Sequence, residues 1–193
     1  MFNDIPVSKV AFIKLYKQYI TRDGADSLLQ FIESSDFFTA PASTKFHLSR
    51  ENGLCEHSIN VCKRLSYFMK EIPDCSKESI AIAGLLHDLC KADFYVVSSR
   101  NVKNELTGQW EKQPFYTVDD QLPLGHGTKS VILIMKHMQL KDEEVAAIVH
   151  HMGSYGAAPG DYTLTAAFEK YPLALFLHLA DMMASHYDEV GMD

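Results

Sequence analysis

The sequence predicts a mainly α-helical fold with one inserted β-hairpin. Apolar residues recur at spacings of three and four along most of the 193-residue chain. One stretch, about residues 94–118, is instead rich in aromatic and β-branched residues. Hydrophobic residues make up 47% of the chain and charged residues 22%, which is typical of a globular protein. The length suits a single domain covering residues 1–193.

Four helices are predicted before the hairpin. The first three are Val7–Ile20 and Asp26–Ser34, within an N-terminal helical segment of residues 5–40, and then Cys55–Ile72. The fourth follows Ser76, whose hydroxyl is suited to cap a helix N-terminus, and runs to about Cys90.

The hairpin and three further helices complete the prediction. Phe94–Val102 is expected to pair with Gln109–Val118 across a turn. The remaining helices are predicted at His126–Gln139, Lys141–Met152 and about Thr165–Tyr187. Pro172 marks a possible break in the last of these, because proline interrupts a helix interior.

Charge and cysteine content exclude several classes of protein. A net charge of −7 with no basic tail argues against long nucleic acid as a partner, although a small anion held by a local metal ion stays compatible. The four cysteines form no C-x-x-C pair, and no signal peptide is recognisable, which predicts a reducing, cytoplasmic setting. No apolar run approaches the roughly 18 residues that span a membrane.

Histidines and aspartates recur in five short motifs on the predicted helices. In order, these are GLCEHSINV, GLLHDLCK, LPLGHG, IVHHMG and HLADMMAS. A single histidine on a helix is usually structural, so the interpretation depends on the ordered set. Imidazole and carboxylate ligands together suit transition-metal ions better than calcium.

These motifs, across roughly Thr44–His186, resemble the HD-domain superfamily of metal-dependent phosphohydrolases. The resemblance implies a helical HD-domain bundle, with the motif-bearing core in residues 44–187. It also implies two divalent metal ions, drawn from Mn, Fe, Ni, Co, Zn or Mg. The implied ligands are His57, His87, Asp88 and Asp181 for one ion, with His126 and His150 for the second and Asp88 bridging the two.

Asp88 and Lys91 are the expected catalytic residues. Two ions that share a water molecule can lower its pKa and direct it at phosphorus. Lys91 lies one turn beyond Asp88, and the resemblance places such a lysine against the phosphate, where it would stabilise negative charge. The alternative is a solvated lysine at the end of a helix.

The histidine pair of the fourth motif requires a choice. Neighbouring helical residues point about 100° apart, so His150 and His151 cannot enter one site equally. His150 is favoured as the ligand because Ala146 and Ala147 precede it by about one turn and leave space for an ion. His151 is then expected to contact substrate or line the rim.

Three other residues are expected to bind substrate. Arg64 follows His57 by two helical turns on the same face and is expected to meet a phosphate, with a surface role as the alternative. His47 and Arg50, in the loop before the first motif, are expected to form an edge of the substrate site.

The predicted function is metal-dependent hydrolysis of a small phosphoester, either a nucleotide or another phosphomonoester or phosphodiester. The expected partner is therefore a small phosphorylated substrate. Three alternatives stay open: a di-iron oxygenase on the same fold, an HD-type nuclease acting on short oligonucleotides, and a non-catalytic module that binds metal or nucleotide. The identity of the metal and any oxygen consumption would distinguish the oxygenase from the hydrolase.

Overall fold

Helices and one hairpin make up the residues that the computed structural model describes, which are 8–72, 74–155 and 158–190. The helices are α1 Lys9–Tyr19, α2 Ala25–Ser34, α3 Gly53–Phe68, α4 Lys77–Leu86, α5 His126–Met135, α6 Asp142–His150, α7 Thr163–Lys170 and α8 Pro172–Met183. The strands are β1 Tyr95–Lys103 and β2 Trp110–Val118. Turns of 3-10 helix are formed by Met69–Glu71 and Leu89–Lys91, and Ala184–Asp188 form a π-helical turn after α8. The predicted fold class is confirmed.

The predicted C-terminal helix is two helices. Lys170 ends α7, and Tyr171 takes up an extended conformation with φ −126° and ψ 99°. Pro172 then begins α8, at a position where a helix does not need the missing N–H. The predicted start of the first helix at Val7 lies outside the described residues. No helix among residues 8–72, 74–155 and 158–190 is long and apolar enough to cross a bilayer.

The fourth helix is shorter than predicted. It ends at Leu86, and Asp88 takes φ −106° and ψ 22°, a sparsely populated region in which active-site residues often occur. The 3-10 turn that follows is closed by a bond from the Lys91 N–H to the Asp88 carbonyl, at 2.9 Å. Asp88 and Lys91 both line one cavity as a result.

The core lies where α3, α4, α6 and α8 pack together. Helix α3 packs against α4 and α8, and α6 packs against α5 and α8. Fully buried side chains of this core include Ile59, Leu65, Ile82, Leu85, Ile148 and Leu177. Burial of each such side chain contributes about 1.5–3 kcal/mol.

Two glycines allow the helices that carry the motifs to approach closely. A Cβ atom on Gly84 of α4 would lie 2.6 Å from Cα of Cys62 in α3. A Cβ atom on Gly127 of α5 would lie 2.2 Å from the carbonyl oxygen of Ile148 in α6. No larger residue fits either position unless the backbone shifts. The close packing of α4 on α3 and of α5 on α6 brings the motif histidines of these helices together.

The hairpin pairs in the predicted region, with each strand starting one residue later than expected. Tyr95 pairs with Val118 at its base and Lys103 with Trp110 near its tip. The Asn104 side chain accepts bonds from two N–H groups of the turn, which fixes the reversal. The base of the hairpin borders the cavity, because Tyr95 and Val118 both line it.

Candidate metal centre

Two histidines and two aspartates from different elements meet in one buried cluster. Nε2 of His57 lies 3.3 Å from Nε2 of His87 and 3.2 Å from Oδ1 of Asp181. Oδ2 of Asp88 lies 3.7 Å from Nε2 of His57 and 3.6 Å from Nε2 of His87. The structure thus brings together the four residues that the sequence assigns to the first ion.

Further potential ligand atoms lie near Asp88. Nε2 of His151 is 3.5 Å from Oδ1 of Asp88. His126, the first residue of α5, places a ring nitrogen within 4.8 Å of Asp88 and of Cys90. Oδ2 of Asp88 therefore faces His57 and His87, and Oδ1 faces His151.

The structure reverses the expected choice between His150 and His151. His151 is fully buried against the cluster, whereas His150 is only partly buried and sits near Asp161. The buried face of α6 includes Ala147 and Ile148, and His151 follows these residues at spacings of four and three. His151 therefore continues the buried face of α6, and His150 does not.

Backbone carbonyls fix the orientation of two of the imidazoles. Nδ1 of His87 donates to the carbonyl of Gly84 at 3.1 Å, and Nδ1 of His151 donates to the carbonyl of Ile148 at 2.7 Å. A carbonyl oxygen can only accept, so the proton is on Nδ1 in both rings. When neutral, each ring directs the lone pair of Nε2 at the aspartates, which is the arrangement found in metal-binding histidines.

Glu189 fixes the orientation of the His57 ring in the same way. It was not among the site residues predicted from the sequence. Both carboxylate oxygens lie 3.1–3.2 Å from Nδ1 of His57, and the Asn60 amide donates to Oε1 at 3.0 Å. Glu189 is buried, and its own N–H bonds five residues back to Ala184, at the end of the π-helical turn. A regular α-helix would carry Glu189 about 12 Å along the axis from Asp181, so helical periodicity gives no signal for this contact.

Burial and neighbouring carboxylates have opposite effects on the pKa values of the histidines. Burial lowers the pKa of His57, but Asp181 and Glu189 outweigh it and raise that pKa to about 10. Burial lowers the pKa of His87 to about 4, so this ring is neutral at pH 7. Burial also lowers the pKa of His151, and the carboxylate of Asp88 reverses this to give a raised pKa.

Lys91 forms a buried ion pair with Asp88. Its Nζ lies 2.7 Å from Oδ2, and the lysine is 8% exposed. Burial lowers the pKa of Lys91, but Asp88 and Tyr95 more than reverse this, so the ammonium keeps its proton. Burial likewise raises the pKa of Asp88, which Lys91 and the histidines hold well below its usual range.

Several buried polar atoms of the cluster have no hydrogen-bond partner among the described residues. They are Oδ1 of Asp88, Nδ1 of His126 and Nε2 of His151. Each such atom costs about 1–3 kcal/mol when nothing satisfies it. Imidazole nitrogens and carboxylate oxygens are ligands that divalent transition-metal ions accept, so the residues present fit such ions.

Comparison with protein families agrees with this geometry. The family model for the HD domain matches residues 54–184, well over half of the chain. The chain belongs to the HD-domain family. HD domains are metal-dependent phosphohydrolase-type proteins that bind divalent metals, and the histidine–aspartate cluster of this HD domain is compatible with such a site. No curated protein and no solved structure matches the chain.

The cluster of this HD domain opens into a cavity of about 830 Å³. His47, predicted to contact substrate, lines the cavity, and burial lowers its pKa to about 4. Two arginines lie elsewhere: Arg64 pairs with Asp188, and Nη2 of Arg50 lies 2.7 Å from Glu56. Neither arginine is among the described residues that line the cavity, so neither lies where a phosphate bound there would meet it.

Proposed function

We propose that this HD domain hydrolyses a small phosphoester, either a nucleotide or another phosphomonoester or phosphodiester, with the help of two divalent metal ions. One observation carries the proposal. Imidazole Nε2 atoms approach both oxygens of Asp88, and Lys91 is paired with the same carboxylate. A site for cations and a buried ammonium group thus lie side by side at one cavity.

The proposal assigns a set of ligands to each ion. His57, His87, Asp88 and Asp181 would hold one ion, and Asp88, His126 and His151 the other. Divalent ions in such a site lower the pKa of water and neutralise charge on phosphoryl oxygens.

Lys91 is the positively charged side chain that we propose stabilises the reacting phosphoryl group. Its ammonium stays protonated, is held in place by Asp88 and faces the cavity, so it donates a hydrogen bond to a phosphoryl oxygen of the substrate. As the water oxygen bonds to phosphorus and the bond to the leaving oxygen breaks, negative charge grows on the phosphoryl group. A fixed cation stabilises this charge without having to reorganise.

A small substrate fits the charge of the whole chain. The net charge of −7 would repel a long polyanion, whereas the local cations of the site would attract a single small one. The cysteine pattern supports a cytoplasmic setting as part of the same proposal.

The test combines metal content with turnover. Protein purified without chelators is analysed for metals, and hydrolysis of p-nitrophenyl phosphate and bis(p-nitrophenyl) phosphate is measured with added Mn, Ni, Co, Mg or Fe. We expect about two ions per chain. Asp88→Asn should lose about 100-fold in turnover, while Asp23→Asn, at an exposed carboxylate, should match the unaltered protein.

The same measurements separate the other functions. Bound iron with oxygen uptake and no hydrolysis would favour the oxygenase. Absence of both metal and turnover would contradict the proposal, and one ion per chain would reduce His126 and His151 to substrate contacts.

A further inference from the structure

The mouth of the cavity carries aromatic side chains that hydrolysis at the metal cluster does not require. Phe46 is 75% exposed and Tyr155 is 82% exposed, yet both line the cavity whose buried part is the cluster. Single exposed aromatic residues are common on protein surfaces. These two are distinctive because they line the same cavity as Asp88 and Lys91, where the phosphoryl group is proposed to lie.

The loop before α3 holds Phe46 outwards. The Ala42 N–H donates to the Leu48 carbonyl at 3.1 Å and closes the loop, while the Leu48 side chain is fully buried. Inside the loop, Oγ of Ser43 accepts from the Phe46 N–H at 2.8 Å and donates to the His47 carbonyl at 3.0 Å. Phe46 is therefore exposed on an anchored loop, which provides a preformed apolar surface.

The charge of the cavity matches one phosphoryl group. Lys91 is the only side chain with a permanent positive charge among the described residues that line it. Three carboxylates, those of Asp88, Asp181 and Glu189, line it as well. With two divalent ions bound and the histidine ligands neutral, the total is about +2, which balances the charge of about −1.5 to −2 on one phosphate but not that of a polyphosphate.

We propose that the substrate carries a single phosphoryl group attached to a planar, uncharged ring system, as in a nucleoside monophosphate, and that Phe46 and Tyr155 bind the ring. This inference rests on the proposed function, since the phosphoryl group must lie at the metal cluster. Aromatic side chains bind a planar ring by stacking on its face, whatever its substituents.

Competitive inhibition tests the inference whether the enzyme cleaves monoesters or diesters. AMP, ribose 5-phosphate and ATP are compared as inhibitors of hydrolysis of the better p-nitrophenyl ester, with the free metal concentration held constant. AMP and ribose 5-phosphate share the phosphate and sugar and differ in the base. We expect an inhibition constant about tenfold lower for AMP than for ribose 5-phosphate, and ATP to bind more weakly than AMP.

Variants identify the surface responsible. Phe46→Ala and Tyr155→Ala should each raise the inhibition constant of AMP about fivefold or more and leave that of ribose 5-phosphate within about twofold. Tyr162→Ala is the matched control, because Tyr162 is 79% exposed but does not line the cavity.

Three outcomes would overturn the inference. Equal inhibition by AMP and ribose 5-phosphate, or variants that weaken both alike, would exclude ring binding at Phe46 and Tyr155. Tighter binding of ATP than of AMP would exclude the restriction to one phosphoryl group. In all three cases hydrolysis of the chromogenic ester would persist, so the proposed function would stand. Complete absence of that hydrolysis would instead refute the function, and this inference with it.

Discussion

Glu189 should determine how tightly the first ion is held, although it is not itself expected to be a ligand of that ion. His57 is the only histidine of the first site whose Nδ1 faces a carboxylate rather than a backbone carbonyl. A carboxylate in this position orients the ring and makes its other nitrogen more basic. We therefore expect Glu189→Ala to weaken metal binding, and Glu189→Gln, which keeps a hydrogen-bond acceptor, to weaken it less.

The structure allows the size of the effect to be worked out. Loss of such a partner typically costs 10–100-fold in metal affinity, which is about 1.4–2.8 kcal/mol. In the metal-free protein Glu189 also accepts charge-assisted bonds from His57 and from Asn60. A bond to a charged group is worth about 1.5–3 kcal/mol, so Glu189→Ala should also lower the free energy of unfolding by about 3–5 kcal/mol.

Isothermal titration with Mn²⁺ gives the affinity, and urea unfolding followed by circular dichroism gives the stability. Asp188→Asn is the matched control, because this neighbouring carboxylate pairs with Arg64, outside the cavity. Its partly exposed ion pair is worth no more than about 1 kcal/mol, and metal affinity should not change. If Glu189→Gln and Glu189→Ala both bind Mn²⁺ within twofold of the unaltered protein, the orienting role is refuted.

Four further predictions concern the ligand geometry, the packing of α4 against α3, and the effects of pH on metal binding and stability. His151→Ala should weaken Mn²⁺ binding at the second site at least about tenfold in the same titration, whereas His150→Ala should leave it unchanged, because only His151 faces the cluster. Gly84→Ala should lower the free energy of unfolding in urea by about 3 kcal/mol, because the new Cβ would meet the backbone of α3 at 2.6 Å; Gly125→Ala, with no atom within 4 Å, should cost less than about 1 kcal/mol. Mn²⁺ binding should tighten about tenfold per pH unit between about pH 7 and 9, with about one proton released in calorimetry, because His57 with its pKa of about 10 must lose a proton to bind the ion. Over the range from about pH 6.5 to 10 the metal-free protein should in turn lose the stability that protonated His57 contributes, since its pKa is raised above the unfolded value of 6.5.

Four residues that the structure brings together could be predicted as a group because they belong to ordered motifs. His57, His87, Asp88 and Asp181 were predicted together and lie together. Helical periodicity likewise located the helices, since it reports which faces are buried. The exact ends of the helices depend on local turns, and there the prediction differed, as at the end of α4.

Two features of the candidate site were found only in the structure. His151 rather than His150 enters the cluster because it lies on the buried face of α6. Its spacing of four and three residues from Ala147 and Ile148 indicates this face in the sequence, whereas small residues near His150 do not. Glu189 had no such signal, because a π-helical turn adds a residue to the helical repeat and no periodicity anticipates it.

Helix ends explain how two histidines come to present Nε2 to the cluster. His87 and His151 are the C-terminal capping residues of α4 and α6, and each donates from Nδ1 to the carbonyl three residues earlier, of Gly84 and Ile148 respectively. In the interior of a helix that carbonyl already accepts a backbone N–H, whereas the last four carbonyls of a helix have no such partner. The end of the helix thus provides the acceptor that fixes the proton on Nδ1. Periodicity alone predicted a continuous helix through His87, in which the Gly84 carbonyl would also accept a backbone N–H. Because α4 ends at Leu86, that carbonyl is available to the His87 ring, and this bond directs Nε2 towards the cluster.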